Sequence, residues 1–252
     1  MIQRAIKPSA VRDSDLRIAS VLHPVRMIGV NAVRSARQAV YEQLRAKILG
    51  AELLPGASLP ENLMASVLEV SRTPLREALQ RLQSDNLVQV IPQVGTFVAR
   101  IELSRVREAL FMREAVECAA IARLPATLDL SIREALENAV SKHRDAVERD
   151  YLNATMQNDA TFHCLLLEAS GMPGVWRYVH EAREMHRRVR VLSRKQTSHA
   201  SVRASAAQHR EILDALIAHD LEHAQDILRM HIRMNLQLAE DVAQVYPDYF
   251  VE

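Results

Sequence analysis

Only one stretch of this chain alternates as paired strands do: LVQVIPQVGTFVARI, residues 87–101. It reads as two short strands, LVQVIP and TFVARI, joined across Gln93-Val94-Gly95. Everything ordered on either side carries helical spacing instead. One hairpin cannot build a sandwich or a wound α/β sheet, so the fold must be mostly helical with the hairpin as an appendage. Upstream, RQAVYEQLRAKILG places Val40, Leu44, Ile48 and Leu49 at helical intervals before Gly50, and LLPGASL turns at Pro55-Gly56. ENLMASVLEV is a short second helix, and SRTPLREALQRLQSDN is a third with Leu75, Ala78, Leu79 and Leu82 on one face. Ser71 or Thr73 can cap that helix, with Pro74 in its first turn. Three helices followed by a hairpin make a winged helix-turn-helix.

After residue 101 the pattern is wholly helical. Segments fall near 103–124, 128–149, 151–170, 173–195, 199–219 and 221–243, with breaks at Leu124-Pro125, at Gly171 to Gly174 and at His219-Asp220. Six helices over such a length bury a core of their own, so residues 102–245 form a helical bundle and residues 35–101 a separate winged domain. Residues 1–34, with Pro8, Pro24 and scattered cations, read as a mobile basic arm, and 246–252 as a tail. No repeat or low-complexity tract interrupts the plan. Composition agrees: aromatics are 4% and glycines six in 252 residues, which disfavours sheet. Two cysteines far apart make no disulfide framework and point to a reducing cytoplasm. No run of about 18 apolar residues is present to span a membrane, and the basic N-terminus has no apolar signal core.

Net charge is +1 but unevenly spread: residues 1–101 hold 13 Lys/Arg against 8 Asp/Glu, the remainder 19 against 23. A basic first part suits a nucleic-acid partner. A recognition helix offers its N-terminal side chains to base edges in the major groove. Here these are Ser71, Arg72, Thr73 and Arg76. Arginine grips guanine O6 and N7 with two parallel bonds, worth roughly 1–3 kcal/mol of discrimination. Gln93 and Gly95 mark the wing tip, where glycine suits a turn of positive φ. Arg45 is a further candidate DNA contact. The plainer role for Arg76 and Arg81 is a solvated face paired with Glu77.

The stretch ILGAELLPGASLPENLMASVLEVSRTPLREALQRLQSDNLVQVIPQVGTFVA resembles the GntR family of bacterial transcription regulators. That resemblance implies a winged helix-turn-helix that binds a palindromic operator as a homodimer. Two residues depart from the family pattern. The family often has arginine where Asn62 stands, which makes Asn62 a candidate DNA contact by the resemblance, and glycine where Glu69 stands, before Val70-Ser71. If residue 69 keeps a left-handed conformation, glutamate costs about 1 kcal/mol there.

In DATFHCLLLEAS, Asp159 and His163 are four apart on one helix, so both side chains share a face that the apolar run sets toward the core. His209 lies 11 residues before Asp220 and His231 lies 11 after it. In an antiparallel hairpin turning at Asp220 they sit at one level. Facing Asp159 and His163, they complete an Asp-His₃ set suited to Zn²⁺ first, with Ni²⁺, Mn²⁺ and Fe²⁺ as alternatives. Taken singly, each histidine is explained as an ordinary core or surface residue.

Residues 103–240 resemble the FCD ligand-binding domain of the FadR subfamily, on FMREAVECAAIARL, DATFHCLLLEASGMPGVWRYV and AAQHREILDALIAHDLEHAQDILRMHI. The resemblance implies a metal on Asp159, His163, His209 and His231, and a small carboxylate effector that coordinates it. It also implies an effector arginine at Arg113, whose plainer role is a salt bridge to Glu117. Arg187 and Asn235 are further effector candidates, with Arg183 and Arg190 behind them. The expected protein is a cytoplasmic, metabolite-responsive regulator, a repressor by the commoner habit of the family. Two other readings stand beside it. The helical half can serve dimerisation alone, or the metal can activate water for hydrolysis with Glu168 or Glu211 as base. No HExxH or other catalytic motif supports the enzyme.

Overall fold

In the computed structural model, residues 17–25, 32–194 and 200–252 are described. The chain divides into two compact units, Met1–Glu102 with Val245–Glu252, and Leu103–Gln244.

The first unit is built on α1 (Ala32–Leu49), α2 (Glu61–Val67) and α3 (Arg72–Ser84). A hairpin of β1 (Val88–Ile91) and β2 (Gly95–Val98) follows, in antiparallel register from Val88↔Val98 to Ile91↔Gly95. Ser58 bridges Phe97 along the open edge of β2. The apolar stripes meet as their spacing requires. Val40, Leu44 and Ile48 of α1 pack with Met64 of α2 and Leu75, Ala78 and Leu82 of α3, all without measurable exposure. Glu69, between α2 and α3, has φ 54, so it occupies the left-handed conformation that glycine would hold more cheaply.

Both ends of this unit differ from the expectation of a free arm and tail. Residues 17–21 are helical, and Ile18 and Leu22 are buried in the core, because two apolar side chains one turn apart find an open edge of it. Of the expected arm, residues 1–16 and 26–31 lie outside the described residues, and α1 already includes residues 32–34. Near the C-terminus, β4 (Phe250–Val251) pairs in parallel with β3 (Ile101–Glu102). The expected second strand, TFVARI, is thus split. Its first half belongs to the wing, and its second half pairs with the end of the chain.

The second unit comprises α4 (Leu103–Ile121), α5 (Leu130–Glu148), α6 (Leu152–Ala169), α7 (Trp176–Met185), α8 (Arg187–Arg194), α9 (Ala200–Ile217) and α10 (Leu221–Val245). Asp129 caps α5 by accepting from the Ser131 amide, and Asp220 Oδ1 accepts from the His223 amide at the start of α10. Gly171, at φ 74, closes α6. The expected helix over 173–195 is divided into a 3₁₀ turn at Pro173–Val175, then α7 and α8, interrupted at His186. No helix among the described residues is long and apolar enough to cross a membrane.

Candidate metal centre and DNA-reading face

Asp159 and His163 lie on the buried face of α6, flanked by Phe162, Leu166 and Leu167 of the same helix, all at or below 1% exposure. His209 comes from α9 and His231 from α10. The rings of His209 and His231 lie 4.7 Å apart, centroid to centroid. One ligand atom from each of the four residues falls within 4.8 Å of all the others. His163 Nε2 is 3.3 Å from His231 Nε2, and Asp159 Oδ1 is 3.4 Å from His209 Nε2. Oδ1 also lies 3.8 Å from His163 Nε2 and 4.0 Å from His231 Nε2. Nitrogens bound at 2.0–2.1 Å to a tetrahedral zinc are about 3.3 Å apart, and wider ligand angles lengthen that edge.

The outer atoms of the same rings test whether this set fits a cation. His163 Nδ1 donates to Glu117 Oε2 at 2.5 Å, and His231 Nδ1 donates to Gln208 Oε1 at 3.1 Å. His209 Nδ1 faces His143 Nδ1 at 2.9 Å. With protons on the Nδ1 atoms of His163 and His231, their Nε2 lone pairs point at each other across 3.3 Å. That contact is repulsive unless a cation lies between them. His209 Nε2 is buried and has no hydrogen-bond partner. The donor set therefore fits a divalent metal, with outer-atom hydrogen bonds that hold each ring in its ligating tautomer.

Charge is arranged to the same end. Burial pushes the Asp159 carboxyl up, but the guanidiniums of Arg183 and Arg190, then the nearby imidazoles, hold it well below the usual carboxylate range. Both arginines bond Oδ2, Arg190 Nη1 at 2.7 Å, which leaves Oδ1 facing the histidines. Burial pushes His163, His209 and His231 below the usual imidazole range, so all three are neutral, ligand-ready bases near pH 7. Glu117 would be raised by burial, but Arg113 and His163 keep it ionised.

A cavity adjoins the cluster. Arg113, Thr155, Asp159, Arg190, Gln208 and His231 line its inner end, and Asn235 lines it from α10. Arg113, 1% exposed, makes the salt bridge to Glu117 through Nε at 2.8 Å and also borders the cavity. Arg187 does not line the cavity; it pairs with Glu184 at 3.3 Å. Arg190 lines it instead, and with Arg183 it bonds Oδ2 of Asp159. Glu168 is exposed, and Glu211, also exposed, pairs with His223 at 3.5 Å, so neither carboxylate shares the buried site. His143 was missed. It sits between Lys142 and Arg144, which read as a solvated face, yet it is buried where α5 packs on α9. Gln208, beside His209, carried the available hint.

On the winged unit, Asn62, Ser71, Arg72, Thr73, Arg76, Gln93 and Gly95 are all exposed. Ser71 occupies the N-cap position of α3, and its hydroxyl makes no capping bond. Arg76 pairs with Glu61 at 2.8 Å rather than with Glu77, which pairs with Arg37. Gln93 and Gly95 have φ 60 and 147, so the wing tip needs its glycine. Arg81 lies 3.8 Å over the Tyr41 ring, whose hydroxyl donates to Asp85 at 2.6 Å. Arg45, half-buried one turn from Tyr41, lies near enough to favour that residue's ionised form.

A winged helix-turn-helix joined to a separate helical unit is the plan of a transcription regulator. The comparisons sharpen that class. The model of bacterial regulatory proteins of the gntR family matches residues 36–98, and the FCD domain model matches residues 108–234. An HTH-type transcriptional regulator in an unstable DNA locus of Streptomyces ambofaciens is 38% identical over 218 residues, covering 86% of this chain and 90% of that protein. The HTH-type transcriptional repressor RspR of Escherichia coli K12 is 29% identical, over 88% of this chain and 97% of that protein. The crystal structure of a GntR regulator from Rhodococcus sp. RHA1 is similar with a TM-score of 0.66 at 25% identity, covering 82% of this chain and 98% of that one. This chain belongs to the GntR family of transcription regulators and carries an FCD domain. It is a DNA-binding regulator and not an enzyme.

Proposed function

We propose that this protein is a cytoplasmic, metal-dependent sensor of a small carboxylic acid that represses transcription as a homodimer on a palindromic operator. The convergence of three imidazole nitrogens and one carboxylate oxygen within 4.8 Å carries the metal reading. Asp159, His163, His209 and His231 would hold the ion, zinc in preference to nickel, manganese or iron because imidazole-rich sets suit it. When bound, such an ion supplies a Lewis-acidic seat for a carboxylate oxygen. Arg113 beside it offers a guanidinium fork matched to carboxylate geometry, and Asn235 borders the same space.

Operator reading falls to Ser71, Arg72, Thr73, Arg76, Asn62, Gln93 and Gly95, with Arg45 supporting from α1. Arg72 and Arg76 are the base-reading pair, and Ser71 with the start of α3 suits a phosphate. Two-fold operators pair with two-fold dimers, which motivates the homodimer. The repressor assignment is supported by the name of the Escherichia coli relative. The effector shifts DNA affinity only by its differential affinity for the two states of the dimer.

The test is metal analysis of purified protein, with His209→Ala alongside. About one divalent ion per chain, lost in the variant together with effector binding, is expected. Absence of bound metal from protein purified without chelator and then supplied with zinc would sink the metal reading.

A further inference from the structure

The cavity beside the cluster has a direction. Its lining from α6 runs Leu152, Thr155, Met156, Asp159; from α9, Ser201, Val202, Ser205, Gln208; and from α10, His231, Met234, Asn235, Leu238. Each stripe spans seven residues, or about 10 Å of helix. The ligand cluster lies at one end of all three stripes. At the other end lie Leu152, Ser201 and Leu238. Arg194 lines this cavity too, and its other contact fixes where. It pairs with Asp150, two residues before Leu152, so its guanidinium belongs to the end remote from the metal.

Two guanidinium nitrogens along this path are buried with no hydrogen-bond partner among the described residues, Nη2 of Arg113 near the cluster and Nη1 of Arg194 at the far end. Buried donors in that state call for an acceptor. The charges point the same way. Arg113, Arg183, Arg190 and Arg194 are set against Glu117, Asp159 and Asp150, which leaves one positive charge before any ion is counted. A divalent metal raises the excess to three. A monocarboxylate would leave two positive charges in a largely buried space, and buried uncompensated charge is costly.

Resting on the sensor reading above, we propose that the effector is a short dianion, with one carboxylate at the metal and Arg113 end of the cavity and the second on Arg194. The length follows. About 10 Å of helix, less about 2 Å for a metal–oxygen bond and about 3 Å for an arginine–oxygen bond, leaves about 5 Å between the terminal oxygens. That is a four- or five-carbon diacid. The cavity has room for about four waters, which is the bulk of such a molecule.

The experiment uses the full chain loaded with zinc, with metal content measured, and calorimetric titration of succinate, glutarate and adipate against butyrate, pentanoate and hexanoate. The four- or five-carbon diacid should bind at least tenfold tighter than the monoacid of equal length. Arg194→Gln should bring that ratio to within twofold, and Arg194→Lys, which keeps the charge but loses the fork, should leave an intermediate ratio. Equal affinities within each pair, no heat from any diacid, or an unchanged ratio in Arg194→Gln would overturn the proposal. If the protein takes up no zinc, the metal reading fails by itself. The remote subsite is then judged in the same protein by whether diacid binding depends on Arg194, and diacid binding that is absent or independent of Arg194 overturns it.

Discussion

The two units use arginine in opposite ways. The winged unit keeps Arg72, Arg76 and Arg81 in solvent above a core of aliphatic side chains. The helical unit puts Arg113, Arg183 and Arg188 below 10% exposure. An exposed guanidinium costs almost nothing and can wait for a phosphate or a base edge. A buried one is tolerated only while carboxylates compensate it, so its presence marks an interior built to hold negative charge. The first unit is stabilised by its core and functions at its surface. In the second unit, the proposed metal ligands and Arg113, proposed to bind the effector, are also part of the buried core.

The sharpest way to break that contrast is Asp159→Ala. It strips Arg183 and Arg190 of their shared partner and should destabilise the helical unit by about 3–5 kcal/mol. Thermal unfolding of the variant checks this, and a change under 1 kcal/mol would show that the buried charges are not mutually dependent. Acid should act on the same unit. His143 is pushed by burial from the ordinary imidazole value down to about 4. Its folded pKa lies below its unfolded one, so its contribution is intact above about pH 6.5, falls as the pH drops, and levels off near pH 4. In chelated protein at pH 5, His143 alone should cost about 2 kcal/mol. Melts from pH 7.5 to 5 should show the helical unit weakening, and His143→Phe should flatten the curve.

On the winged unit, Arg72→Ala should lower operator affinity by about 1–3 kcal/mol and relax base preference at one position per half-site. Melting of the helical unit should not move. Equal loss on specific and random DNA would reassign Arg72 to a phosphate. The smallest effect is expected from Glu69→Gly, which relieves the left-handed strain before α3 and should stabilise the winged unit by about 1 kcal/mol. Chemical denaturation of the full chain can resolve it, and a destabilised variant would mean that the glutamate side chain makes a compensating contact.

Helix spacing and turn chemistry carried most of the architecture. Apart from the segment split at His186, the helices of the second unit begin and end within a few residues of the positions read from periodicity, because their breaks sit at Pro125, Gly171 and Asp220. The cluster was legible for the same reason: a four-residue spacing on α6 and two equal spacings about Asp220 are geometric statements. What escaped depends on packing between distant helices. His143, in SKHRD, looks solvated until α9 lies against it. The choice between Arg187 and Arg190 falls at the helix break at His186, for which the sequence offers neither proline nor glycine. Arg45 could not be assigned a side of α1 before Tyr41 and Asp85 were seen together. The pairing of residues 250–251 with 101–102 has no local signal.

That last pairing has its own consequence. Because β3 and β4 lie side by side, the helical unit is, in chain terms, an insert within a loop of the winged unit. The entropy of closing a flexible loop rises by only about 0.6 kcal/mol for each doubling of its length. The clasp is therefore nearly indifferent to the size of what it encloses, and an exchange of one sensing bundle for another leaves it intact. Trimming the last few residues, by contrast, opens the clasp, and the damage falls on the half that reads the operator.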